Sequence, residues 1–265
     1  MATALDRIIE YKRDEVAVLK AQTTVAELEA RASAQESPRG FDARLREIAS
    51  AGQNALICEM KRKSPSAGDI LPGADPLQIV REYENGGAAC LSVLTDFPSF
   101  GGTLEDLETI RSAVSMPILR KDFMIDPIQI VEARAYGADC ILVILSALDD
   151  GLARELIATA VSFGMDVLTE VHDSRELDRA IALDASLIGV NNRDLKAMKT
   201  DLGVSEVLAR HAPELEMVSE SGVRDSEDIK RLRQSGFRRF LIGESLMKET
   251  DRESAVHALV NAGTD

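Results

Sequence analysis

Residues 126–145 read DPIQIVEARAYGADCILVIL, and the order of signals in that stretch decides the architecture. Asp126 before Pro127 marks a helix start, because the carboxylate accepts from N–H groups that the first turn leaves open and proline needs no partner there. Gly137 stands where the helix should end, since glycine takes the left-handed turn that other residues avoid. The run CILVIL follows, apolar without alternation, as a strand buried on both faces reads. Residues 75–95, DPLQIVREYENGGAACLSVLT, repeat the same helix, glycine and strand, with Asp75-Pro76 at the start and Gly87 at the turn.

Working outward, the runs are ALICEM, CLSVLT, PILRKDF, CILVIL, DVLTEV, LIGVNN, EMVSES and RFLIGE. Their starts lie about 20 to 35 residues apart, the spacing of βα units with short connections. Gly164 and Gly236 precede further runs as Gly137 does. Eight buried parallel strands in one chain are most economically closed on themselves, so the expected fold class is α/β, a (β/α)8 TIM barrel. Residues 1–50 fall outside the repeat. LDRIIEYKRDEVAVL carries Leu5, Ile8, Ile9, Val16 and Leu19 at helical spacing, and ASAQESPRG reads as a loop before a second helix, FDARLREIAS. Too short for its own core, this segment is expected as an N-terminal helical extension on a single domain, 1–265, whose barrel occupies 51–265.

Composition limits the partners. The chain has 265 residues, 45% of them hydrophobic, and a formal charge of −14, which disfavours generic attraction to nucleic acid or anionic lipid. An anionic ligand must therefore be held by a local basic pocket. The amino terminus lacks the apolar core of a signal peptide, and no run is long enough to span a bilayer. A cytoplasmic protein without membrane or nucleic-acid partners is expected. Cys58, Cys90 and Cys140 lie far apart within strands and read as small core residues. His172, His211 and His257 show no metal-ligand spacing, so neither a metal nor another cofactor is expected; His172 reads as a packed or solvated side chain.

Barrel enzymes carry their chemistry at the carboxyl ends of the strands. Those positions hold Glu59 and Lys61, Lys121, Glu170, Asn191 and Glu220. Alternate strand residues share a face, so Leu119 goes with Lys121, Leu168 with Glu170, and Val218 with Glu220, while Cys58 and Met60 turn away from Glu59. So many ionisable groups around one mouth cost desolvation energy that apolar residues would avoid, which favours function over architecture. SESGV (219–223) and LIGESLM (241–247) occupy the two loops where such barrels cradle phosphate, with Gly222 and Gly243 permitting close backbone approach. The loop KRKSPSAGDILPG (61–73) reads as a substrate-covering lid, with Ser64 placed to bond an anion. Cofactor-free acid and base chemistry on a phosphorylated small molecule is the common denominator. At this stage a Schiff-base aldolase, a sugar-phosphate isomerase and a barrel that has lost catalysis stand as alternatives.

EMKRKSPSAG, SVLTD, ILRKDF, LTEVH, GVNNRDL, SESGV and IGESLM occur in one order on successive strands. This pattern resembles the indole-3-glycerol phosphate synthase family in its free-standing form, from the first helix to the end. The resemblance implies a carboxy-lyase of tryptophan biosynthesis that closes the ring of 1-(2-carboxyphenylamino)-1-deoxyribulose 5-phosphate with loss of CO2 and water. It implies Lys121 as proton donor to the developing alkoxide, Lys61 and Glu59 for the dehydration, Glu170 beside the reacting centre, and Asn191 and Glu220 orienting hydroxyls. It assigns Arg193 with Lys61 to the substrate carboxylate, Phe123 to the aromatic ring, and Ser64, Ser221, Gly222 and Gly243 to phosphate, with Glu244 contributing only its backbone N–H. A monomer or weak homodimer is the expected state.

Overall fold

The computed structural model describes residues 3–65, 68–194 and 199–264. Each of the eight runs is a strand: β1 Ala55–Met60, β2 Cys90–Leu94, β3 Ile118–Lys121, β4 Cys140–Ile144, β5 Asp166–Val171, β6 Leu187–Asn191, β7 Val218–Glu220 and β8 Arg239–Ile242. All neighbours pair in parallel, and β1 pairs with both β2 and β8, so the barrel is closed. Asp75 and Asp126 accept from the N–H groups of Leu77 and Ile128, and Gly87 and Gly137 take φ of +94° and +90° just before β2 and β4. Local sequence thus starts and stops these two helices.

Strand parity divides two cores. Ala55, Ile57, Leu119, Leu168, Val218 and Leu241 pack in one buried cluster inside the barrel, whereas Leu56, Cys58 and Met60 join the layer between strands and helices. Continuing the inward faces past their apolar residues brings Glu59, Lys121, Glu170, Asn191 and Glu220 to one end. The three cysteines are buried, and desolvation pushes their thiols upward, away from reactive thiolate character.

The chain before the barrel forms three helices where sequence spacing indicated two: α1 Ala4–Gln22, α2 Val25–Ser33 and α3 Phe41–Ser50. The extra helix, α2, is started by a capping box in which Thr24 Oγ1 accepts from the Glu27 N–H and the Glu27 carboxylate accepts from the Thr24 N–H. Its Leu28 and Ala32 pack on Ile128, Val131 and Ala135. Helix α3 inserts Phe41 and Leu45, both fully buried, among Ala55, Cys90 and Cys140 at the strand starts. Each such side chain contributes about 1.5–3 kcal/mol by leaving water. Helix α1 runs to the opposite end, where Leu5 and Ile8 line the mouth. Among the described residues no helix is long and apolar enough to cross a membrane.

The loop after β1 contains a short antiparallel hairpin, Lys63–Ser64 with Gly68–Asp69, which periodicity did not indicate. Arg62 anchors it through a two-pronged pair with Asp106, at 2.5 and 2.8 Å. Ser66 and Ala67, part of the expected lid, lie outside the described residues, as does Leu195 of GVNNRDL.

Candidate active site

Five strand ends deliver polar groups into one hollow that is partly open to solvent. Lys61 Nζ lies 2.7 Å from Glu59 Oε1, and Ser92 from the neighbouring strand donates to Glu59 Oε2 at 3.2 Å. Across the hollow, Lys121 Nζ stands 3.1 Å from Glu170 Oε2 and 3.5 Å from Glu220 Oε2. Asn191 Nδ2 donates to Glu170 Oε1 at 3.0 Å. Phe123 lines the same hollow and meets Phe100 with ring centroids 6.2 Å apart and the rings tilted by 33°, so two aromatic faces wall one side.

The charges do not titrate alike. Burial alone would strip the proton from Lys121, but Glu170, Glu220 and Glu59 around it reverse the effect and raise it above an ordinary lysine. Burial pushes Glu59 up, and Lys61 and Lys121 pull it below the usual carboxylate range. Glu170 likewise ends low, because Lys121, His172 and Asn191 outweigh its desolvation. Glu220 goes the other way, to about 8, since burial is reinforced by repulsion from Glu170 and Glu59. One ammonium shared between two carboxyls therefore pushes them apart, Glu170 toward the ionised form and Glu220 toward the protonated one.

Two glycines make room for these carboxylates. A Cβ on Gly189 of β6 would fall 2.0 Å from Glu220 Oε1, and one on Gly243 would fall 2.6 Å from Glu59 Oε1. Neither position tolerates a side chain without moving an acid.

A second hollow adjoins the first and shares Glu59, Lys61, Arg193, Ser221 and Leu241 with it. Gly222, Gly243, Glu244 and Ser245 also line it. Ser221 adopts φ +64°, a left-handed conformation that a serine takes only under constraint from its surroundings. Glu244 turns its carboxylate onto Arg193 (3.3 Å) and Lys248 (2.7 Å). Ser64, buried, lines the first hollow and is not among the residues lining the second.

The family model described as indole-3-glycerol phosphate synthase matches residues 5–259. The chain belongs to this family. An indole-3-glycerol phosphate synthase of Hyphomonas neptunium is 64% identical over 261 residues, covering 98% of each chain. One of Rhodospirillum rubrum is 51% identical, covering 98% of this chain and all of the relative. Among solved structures, a tryptophan synthase subunit alpha from Legionella pneumophila superposes with a TM-score of 0.62 at 14% identity, over 86% of this chain and 98% of its own, a likeness of fold alone.

On this indole-3-glycerol phosphate synthase scaffold the structure adds residues that sequence reading passed over. Lys12, on the apolar stripe of α1 and 1% exposed, pairs with Asp122 (2.8 Å), Asp96 (3.0 Å) and Glu15 (2.7 Å). Tyr11 donates to Asp96 at 2.7 Å. These contacts pin α1 over the mouth beside Lys121. The signal was present as a lysine one helical turn past Ile8 and one before Val16, but its partners Asp96 and Asp122 come from distant loops of the barrel. His172 Nε2 stands 3.4 Å from Glu170 Oε1, so it is a neighbour of the site rather than a remote packed ring. Among the described residues no group of His, Cys, Asp and Glu has the geometry to hold a metal.

Proposed function

We propose that this chain converts 1-(2-carboxyphenylamino)-1-deoxyribulose 5-phosphate to indole-3-glycerol phosphate, CO2 and water in tryptophan biosynthesis, with no cofactor. Membership of the family supports the reaction. The observation that carries the assignment of groups is Lys121 between Glu170 and Glu220, facing Glu59 and Lys61 across one hollow, with a second hollow beside them.

In this reading the phosphate lies in the second hollow on the backbone N–H groups of the Ser221, Gly222, Gly243 and Glu244 segment, and Ser64, which lines the adjoining first hollow, meets the substrate where the two hollows join. Arg193 and Lys61 neutralise the substrate carboxylate, and Phe123 walls the anilino ring. The ring carbon bearing that carboxylate attacks the ribulose carbonyl, forming a carbon–carbon bond and an alkoxide. Lys121 gives the alkoxide a proton; the alkoxide is a far stronger base than the carboxylates holding that ammonium, so transfer is downhill once it arrives. Loss of CO2 returns the bonding pair to the ring. The hydroxyl then departs as water with a proton from Lys61, while Glu59 accepts the proton that aromatises the new ring. Glu170 stays ionised beside the reacting centre, and Asn191 with Glu220 orients hydroxyls. A cytoplasmic monomer or weak homodimer completes the proposal.

The test is direct. The purified protein is mixed with the carboxyphenylamino deoxyribulose phosphate, without metal or nucleotide, and indole fluorescence is followed; the chain has no Trp, so background emission is low. Absence of indole product would sink the reading. Trapping of a lysine adduct by borohydride would favour an aldolase instead.

A further inference from the structure

His172 has no part in the steps above, yet three carboxyls and a helix start are arranged around it. It follows the last residue of β5, and Asp173 after it caps the helix Ser174–Ala182 by accepting from the Glu176 N–H at 2.8 Å. The Glu176 carboxylate folds back and accepts twice from His172, from its backbone N–H at 2.8 Å and from ring Nδ1 at 3.0 Å. Rotation of the ring is thereby fixed, and its Nε2 faces Glu170 Oε1 at 3.4 Å.

We propose that His172, clamped by Glu176, is a positioning residue that selects Glu170, rather than Glu220, as the ionised carboxylate beside Lys121. This deepens the function proposed above and rests on it. The argument begins with lone pairs. An ionised carboxylate only accepts, so Nδ1 bonded to Glu176 carries its hydrogen. A neutral ring would then aim a bare Nε2 at Glu170, acceptor against acceptor. With both nitrogens protonated, each end of the ring meets an anion.

The surroundings push in the same direction. Burial lowers His172, but Glu176, Glu170 and Glu220 outweigh it and the ring ends above an ordinary histidine. The groups facing it come from several elements: Glu170 on β5, Glu220 on β7, and Glu176 on the following helix, with Lys121 of β3 and Asn191 of β6 on the far side of Glu170. Glu170 thus accepts from Lys121 on one oxygen and from Asn191 on the other, and His172 Nε2 lies 3.4 Å from that second oxygen as a charge neighbour without a hydrogen bond to it. Glu220 shares only Lys121, and its Oε1 has no hydrogen-bond partner among the described residues. The Asn191 bond already favours an ionised Glu170 over Glu220, and an imidazolium 3.4 Å from Glu170 Oε1 widens that difference.

The experiment has two arms. In the first, kcat/KM is measured against pH for the wild type, His172→Gln and Glu176→Gln. Removing the positive charge lets Glu170 hold its proton to higher pH, so the acid limb should move up by about one unit in His172→Gln. That is roughly a tenfold loss on the acid side, with the rate at alkaline pH within a few-fold of wild type. Glu176→Gln keeps an amide oxygen for the ring but removes its anion, and should move the limb in the same direction by less. A uniform loss at all pH values, or an unmoved limb in both variants, overturns the proposal and leaves His172 as packing. The second arm needs no turnover: ring nitrogen NMR of the folded protein, with the His172 signal assigned by its absence in His172→Gln. An imidazolium at pH 7 that becomes neutral in Glu176→Gln supports the proposal; a neutral ring at pH 7 refutes it. Failure of the wild type to make indole would strike the function alone, since the NMR arm still reports on the clamp.

Discussion

Gly189→Ala adds a single methyl at the most crowded point of the site. Its Cβ would sit 2.0 Å from Glu220 Oε1 and 3.1 Å from Leu168 Cδ1. Ordinary contact begins near 3.4 Å, so the acid must retreat by more than about 1 Å, while the backbone, which is not left-handed there, accepts alanine. Overpacking of this kind costs about 1–3 kcal/mol of stability. A displacement of about 1 Å in a catalytic constellation costs roughly a hundredfold in rate, or about 2.7 kcal/mol at 1.36 kcal/mol per factor of ten. The expected result is therefore kcat reduced by about a hundredfold with KM little changed, because Gly189 lies outside the residues that line the second hollow, where the proposed reading puts the phosphate. Steady-state indole fluorescence reads kcat and KM, and urea unfolding reads the stability cost. The decisive control is the Glu220→Ala background: with the struck side chain gone, Gly189→Ala should cost almost nothing further, a non-additivity of about the full effect. Wild-type turnover in Gly189→Ala, or additive losses in the double variant, would refute the reasoning.

Three further outcomes follow from the same geometry. Lys121→Ala should lower kcat by at least about a hundredfold and leave inorganic phosphate binding, measured by calorimetry, largely intact; normal turnover would remove Lys121 from the mechanism. Lys12→Met strips a buried cation from Asp96 and Asp122 and should cost about 3–5 kcal/mol in urea unfolding, so unchanged stability would mean the network does not hold α1. Asp122, although burial pushes it up, is drawn down from 3.8 to about 2 by Lys12 and Arg120. Its folded value lies below its unfolded one, so its contribution of about 2 kcal/mol is present above about pH 4 and lost as pH falls through 2. The stability gap between the wild type and Asp122→Asn should close over that window; a gap independent of pH would contradict the pairing.

Much of the site could be read from parity and position. Glu59 ends the inward face of β1 and Lys61 follows just past the strand, and Leu119, Leu168 and Val218 point where Lys121, Glu170 and Glu220 must point. What escaped reading has the opposite character. Helix α2 starts at a threonine box that mimics a turn, Lys12 looks like a solvated lysine until its helix meets β2 and β3, and the Glu244 carboxylate is held by Arg193 and Lys248, a pairing that the sequence does not show. Phe100 joins Phe123 in the hollow while Phe97 is 65% exposed, a choice that the string TDFPSFGG does not reveal.

By itself the sequence determined the repeated βα unit, the eight strands, their inward faces and the ionisable groups at their carboxyl ends, because caps, turns and strand alternation are written between near neighbours. Tertiary structure alone decided which acid keeps its proton, which glycines must stay bare and how the first helix is fastened over the mouth. Those properties depend on burial and on distances of about 3 Å between groups far apart in the chain. Desolvation and Coulomb energy take their values only after the barrel has closed.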